Sequence, residues 1–113
     1  MIYLCSVYSL NAGAELMEKR YNYAAKRTAL FMKEGHTIFC PINHCHPIAV
    51  QWDMPKTWEF WRRHDLNYIA ASDEVWVLMM PNWRDSIGIT AEIEFAELMG
   101  KKITYIDCYD YKE

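Results

Sequence analysis

Four short runs of β-forming apolar residues alternate along the chain with longer stretches whose apolar residues recur at three- and four-residue spacing. This alternation restricts the fold more than any other feature, because successive parallel strands need a helix to return the chain to the starting edge of the sheet. Residues 2–7, 36–40, 73–79 and 101–106 read as strands. Helical spacing covers residues 12–34, with Met17, Tyr21, Ala24 and Phe31 on one stripe, then 56–71 and 88–99. Gly35 and Gly100 stand where helix-terminating glycines belong. Residues 41–55 hold three prolines and read as a long loop, and the tail from Asp107 reads as loose. The expectation is one domain over residues 1–113. It is a small doubly wound α/β structure of the flavodoxin or Rossmann type, with a mainly parallel sheet and helices on both faces.

With 113 residues, 52% hydrophobic and 24% charged, the chain suits one folded core and leaves no room for a second. A net charge of −3 opposes binding to a nucleic-acid backbone, which requires a concentrated excess of Lys and Arg. The start MIYLCSVYS has neither a basic leader nor a long apolar run, so a cytoplasmic protein without signal peptide or membrane span is expected. Cys5, Cys40, Cys45 and Cys108 form no CxxC pair and read as reduced thiols. Cys40, His44, Cys45 and His46 in CPINHCHP are of metal-ligating types. They lack a second ligand pair at defined spacing, so the expectation is no metal and no cofactor.

In such folds ligands bind beyond the carboxyl ends of the strands, which directs attention to residues 5–9, 41–46 and 81–92. In PNWRDSIGITAEIEFA a strand ends and a turn with Ser86 and Gly88 opens a helix that carries Glu92 early on. Glu92 suits a catalytic corner, and equally a carboxylate that merely complements the helix dipole. Asp65 shares the stripe of Trp58, Trp61 and Ile69, where an acid must be either paired, for instance with Arg62, or used. His44, His46 and Trp83 are further candidates for contact with a base or phosphate, and Tyr8 and Trp52 are placed similarly.

The ordered pattern IYLCSVYS, GHTIFCPINHCHPIA, WEFWRRHDLNYIAASDEVWVL and NWRDSIGITAEIEFAELMGKKI resembles the nucleoside 2-deoxyribosyltransferase-like superfamily along essentially the whole chain. It is most similar to a bacterial and phage branch running SPYS, PI-x-H-x-HPIA, WxFW and GW-xx-S-x-G-xxx-E. The resemblance implies Glu92 as the nucleophile that attacks the anomeric carbon, and Asp65 as the acid that orients the sugar and assists departure of the base. Similarity to the 2′-deoxynucleoside 5′-phosphate N-hydrolases implies Ser86 at a 5′-phosphate, Ser6 near the substrate and Tyr3 close to the sugar. The first turn departs from those hydrolases, reading CSVYS where they have glycine and arginine. The implied ligand is a small nucleoside or nucleotide, processed by N-glycosidic hydrolysis or by deoxyribosyl transfer between bases. A nucleotide-binding module without turnover is the alternative of a different class. A homodimer or larger homo-oligomer is also implied, with Trp58, Trp61 and Trp83 as interface anchors.

Overall fold

The computed structural model describes residues 1–113. Strands β1 (Ile2–Cys5), β2 (Ile38–Phe39), β3 (Glu74–Met79) and β4 (Lys102–Asp107) form one parallel sheet in the order β2-β1-β3-β4. Helices α1 (Ala14–Lys33), α2 (Pro41–Gln51), α3 (Trp58–Ala71) and α4 (Ile87–Leu98) connect them, and a single 3-10 turn at Trp83–Asp85 follows β3. From β1 the chain steps outward to β2, and from β3 it steps the opposite way to β4. The connections therefore diverge between β1 and β3, opening a crevice at the carboxyl ends of those two strands. The fold is the doubly wound parallel α/β arrangement expected from the alternation of elements.

Central strand β1 is buried along its whole length, as a strand with neighbours on both edges and helices on both faces must be. Side-chain alternation divides it, with Ile2 and Leu4 on one face and Tyr3 and Cys5 on the other, towards Glu92 of α4. Helix α1 packs on β2 and α2, whereas α3 and α4 pack on each other and α4 lies against β3 and β4. Leu4, Val75, Val77, Leu78, Ile69, Ile89 and Ala96 are almost wholly enclosed, and each large apolar side chain so buried contributes about 1.5–3 kcal/mol. Gly35 at φ +97° and Gly100 at φ +70° end α1 and α4 in the left-handed region, where a Cβ is disfavoured. No helix is long and apolar enough to cross a membrane.

Two stretches differ from the sequence reading. Residues 41–51 are helical rather than a loop, although Pro55 does lie in a connection. Pro41 takes the first helical position, where no N–H is needed, and the internal Pro47 removes only one ladder bond. Burial of Ile42, Cys45, His46 and Ala49 holds the helix despite that loss. The tail is docked rather than loose. Tyr111 stacks on Tyr23 with ring centroids 4.4 Å apart, and Cys108 and Tyr111 are buried. Its anchor is Arg20, which is 2% exposed on the inner side of α1 and grips Glu113 through Nε and Nη2 at 2.7 and 3.0 Å. The same guanidinium donates to the carbonyls of Tyr8 and Leu10, so one cation ties the loop after β1 to the tail.

Replacing Tyr111 by Ala is expected to cost about 3 kcal/mol of unfolding free energy, read as a lower urea midpoint with an unchanged slope. A loss below about 0.5 kcal/mol would show that the tail contributes nothing to the core.

Candidate active site

A cavity of about 270 Å³ opens at the β1/β3 crevice, where fold topology places ligand sites. Its wall is drawn from four elements: Ser6 and Tyr8 after β1, Ile42 and Cys45 on α2, Trp58, Trp61 and Asp65 on α3, and Ser86, Gly88 and Glu92 at the start of α4. The two acids singled out in the sequence therefore face one space, as do Ser6, Ser86 and Gly88. Tyr3 is not part of the wall; it lies behind Glu92 and donates its phenolic hydrogen to the carboxylate.

Glu92 is 5% exposed, in the second turn of a helix whose N-terminus points at the cavity. Burial, reinforced by the nearby Asp65 charge, pushes its carboxyl up to about 8, against the opposing hydrogen bonds from Tyr3 and Cys5. The phenol of Tyr3 is raised far above its ordinary range by burial and by Glu92, so it stays a proton donor. Burial also raises Asp65, while His64, whose Nδ1 is 3.2 Å from the Asp65 carboxylate, pulls it back. His64, not Arg62, is thus the partner of this acid. Both acids are shifted in the same direction, and burial favours the protonated form most at the more enclosed Glu92.

Ser86 caps α4, its Oγ accepting from the backbone N–H of Ile89 at 3.2 Å, which leaves its own hydrogen free to point into the cavity. A Cβ at Gly88 would lie 3.3 Å from the ring of Trp58, so the ring would have to give by a few tenths of an ångström to admit one. Trp58 and Trp61 line the cavity beside Asp65, and Trp61 is fixed by donation from Nε1 to the Pro55 carbonyl at 2.8 Å. Both are half-buried and turn flat apolar faces to that space.

The remaining candidates lie elsewhere. His44 is exposed and stacks on His64, with centroids 5.2 Å apart and planes at 5°. His46 is buried behind Tyr8, held by its hydroxyl and by Glu18. Trp83 packs on Tyr105 with Arg84 over its ring, and Trp52 is 71% exposed outside the cavity wall. The CPINHCHP residues do not converge on a metal, since Cys40 faces Ser6 and His46 is already engaged. The trio with metal-compatible spacing is Cys45, His64 and Asp65, with donor atoms all within 4.8 Å of one another. Burial and Asp65 push the Cys45 thiol up to about 12, so a cation taken up by this trio would have to displace the thiol proton. Cys5, Cys45 and His64 were not foreseen as neighbours of the acids. Only the period-two alternation that puts Cys5 on the same face as Tyr3 carried a signal.

A family model described as Domain of unknown function (DUF1937) matches residues 1–107, and the chain belongs to that family. No match was found among the curated proteins.

Because the folded protein favours the protonated form of Glu92, the stability this confers is complete below about 4.5 and is lost as pH rises towards 8. Glu92→Gln keeps an acceptor for Tyr3 without the charge. Its Tm is expected to match the parent near pH 4.5 and to exceed it by several degrees above pH 8. A pH-independent difference would contradict the burial of an ionisable carboxyl there.

Proposed function

We propose that this member of the DUF1937 family cleaves the N-glycosidic bond of a nucleoside or nucleoside 5′-monophosphate, with Glu92 as the nucleophile. The observation that carries this reading is the meeting of Glu92 and Asp65 at one apolar-walled cavity above the sheet. In the first step a Glu92 carboxylate oxygen bonds to the anomeric carbon as the bond from that carbon to the base nitrogen breaks. The base leaves with the electron pair and takes a proton from Asp65. In this mechanism the proton that burial favours on Glu92 resides on Asp65 when chemistry begins, and the developing positive charge on the sugar stabilises the ionised Glu92. In the second step water attacks the anomeric carbon of the glycosyl ester, releases Glu92 and returns a proton to Asp65. A free base in the vacated pocket would take the place of that water and complete a deoxyribosyl transfer instead.

Several features support the assignment of roles. The start of α4 and the Tyr3 hydroxyl favour negative charge on Glu92 when it ionises. Trp58 and Trp61 offer faces for a planar base, and the free Ser86 hydrogen at the helix N-terminus suits a 5′-phosphate or 5′-hydroxyl. The resemblance noted in the sequence points to the same pair of acids. It also carries the proposal of a cytoplasmic homodimer or larger closed assembly.

Product analysis with a panel of nucleosides and 5′-monophosphates, with and without added free bases, tests the reading and separates hydrolysis from transfer. Glu92→Ala is expected to abolish both reactions with the fold intact; retained turnover would overturn the mechanism. Because the working pair carries one proton, kcat/KM is expected to fall above about pH 8. Asp65→Asn is expected to lower kcat about 100-fold or more and to turn that falling limb into a rising one, since only ionisation of Glu92 then remains. An unchanged profile in that variant would remove Asp65 from proton transfer.

A further inference from the structure

Outside the pair of acids, a buried histidine is without a role in this chemistry. His46 is 4% exposed on α2, and both of its ring nitrogens are engaged. Its Nε2 meets a carboxylate oxygen of Glu18 on α1 at 2.5 Å, and its Nδ1 meets the hydroxyl of Tyr8 at 2.5 Å. Tyr21 packs on the ring, with centroids 4.5 Å apart. Tyr8 lies in the loop fixed by Arg20 and is part of the cavity wall, whereas Glu18 is 55% exposed at the surface.

We infer that Tyr8 is a substrate-binding residue whose hydroxyl is set by His46 and Glu18 to accept a hydrogen bond from a hydroxyl or N–H group of the nucleoside. This rests on the glycosidase reading and extends its site. A carboxylate oxygen against Nε2 accepts a hydrogen, and we assign the ring hydrogen of His46 to Nε2 accordingly. Nδ1 then offers a lone pair, and the single phenolic hydrogen of Tyr8 is spent on it. The Tyr8 oxygen is then left with lone pairs alone to offer a ligand in the cavity that Tyr8 lines. Chain, ring and carboxylate together hold one acceptor in one orientation, which spares a ligand the cost of ordering it. Tyr8 acts by contact, and His46 and Glu18 act through it as positioning residues.

Affinity measured in the Glu92→Gln background isolates binding from turnover; the probes are 2′-deoxyadenosine and its 5′-monophosphate. Tyr8→Phe is expected to weaken binding about fivefold to tenfold, the loss of one hydrogen bond. Glu18→Gln, at the surface of α1, is expected to weaken it in the same direction, and Glu15→Gln on the same helix to leave it unchanged. In a Tyr8→Phe background Glu18→Gln is expected to add nothing, a coupling that independent structural damage would not produce. His46→Asn, which keeps an acceptor towards Tyr8, is expected to bind more tightly than His46→Leu. Equal affinity in Tyr8→Phe, or additive losses in the double variant, would overturn the inference while leaving the role of Glu92 standing. Failure of the Tyr8-containing protein to bind either probe would instead remove the glycosidase reading, and this inference with it.

Discussion

The contact between Tyr3 and Glu92 is the constraint around which this small fold is organised. Tyr3 belongs to the central strand, where every residue is buried, and Glu92 belongs to the helix that leaves the neighbouring strand β3. A carboxyl at that position loses its hydration, and the folded chain meets the cost by keeping it protonated at neutral pH and supplying donors from Tyr3 and Cys5. The pleat of β1 is what makes this possible. Residues 3 and 5 face α4, while Ile2 and Leu4 are left to fill the opposite face of the sheet.

From this arrangement follows a tension between stability and chemistry. Burial favours a protonated Glu92, whereas the nucleophile of the proposed glycosidase must be ionised. A second acid on α3 faces the same cavity, raised by burial and pulled back by His64, and in the proposed mechanism it takes up the proton. Sites that work this way are commonly the places where a fold gives up stability for function. The loop after β1 completes the wall. Its geometry is held by Arg20, a cation buried on the inner side of α1 and shared with the tail.

Much of this was legible in the residues because it rests on local pattern. Alternation of strand and helix periods specified a parallel doubly wound sheet, and the glycines at 35 and 100 marked where helices end. Topology then indicated the carboxyl ends of the strands, and the segments so indicated supply Ser6, Ser86, Gly88 and Glu92 to the cavity. What escaped was whatever depends on partners distant in sequence. Helix α2 was hidden by its prolines, since only tertiary burial of Ile42, Cys45 and His46 offsets the bond that Pro47 removes. The docked tail was hidden because its anchor is an arginine, a residue ordinarily read as exposed. His44 and Trp83, exposed and half-buried respectively, lie away from the cavity, and His46 lies one layer behind it. No spacing rule distinguishes these from a histidine that touches a ligand.

The central claim concerns a bond to one oxygen, and it is tested most directly by acid quenching after rapid mixing with a substrate nucleoside, followed by intact-mass and peptide mass spectrometry. The account predicts a transient mass increase equal to the glycosyl group, confined to the peptide that contains Glu92 and missing from Glu92→Gln. Turnover with no adduct at any quench time, or an adduct on a different peptide, would contradict it.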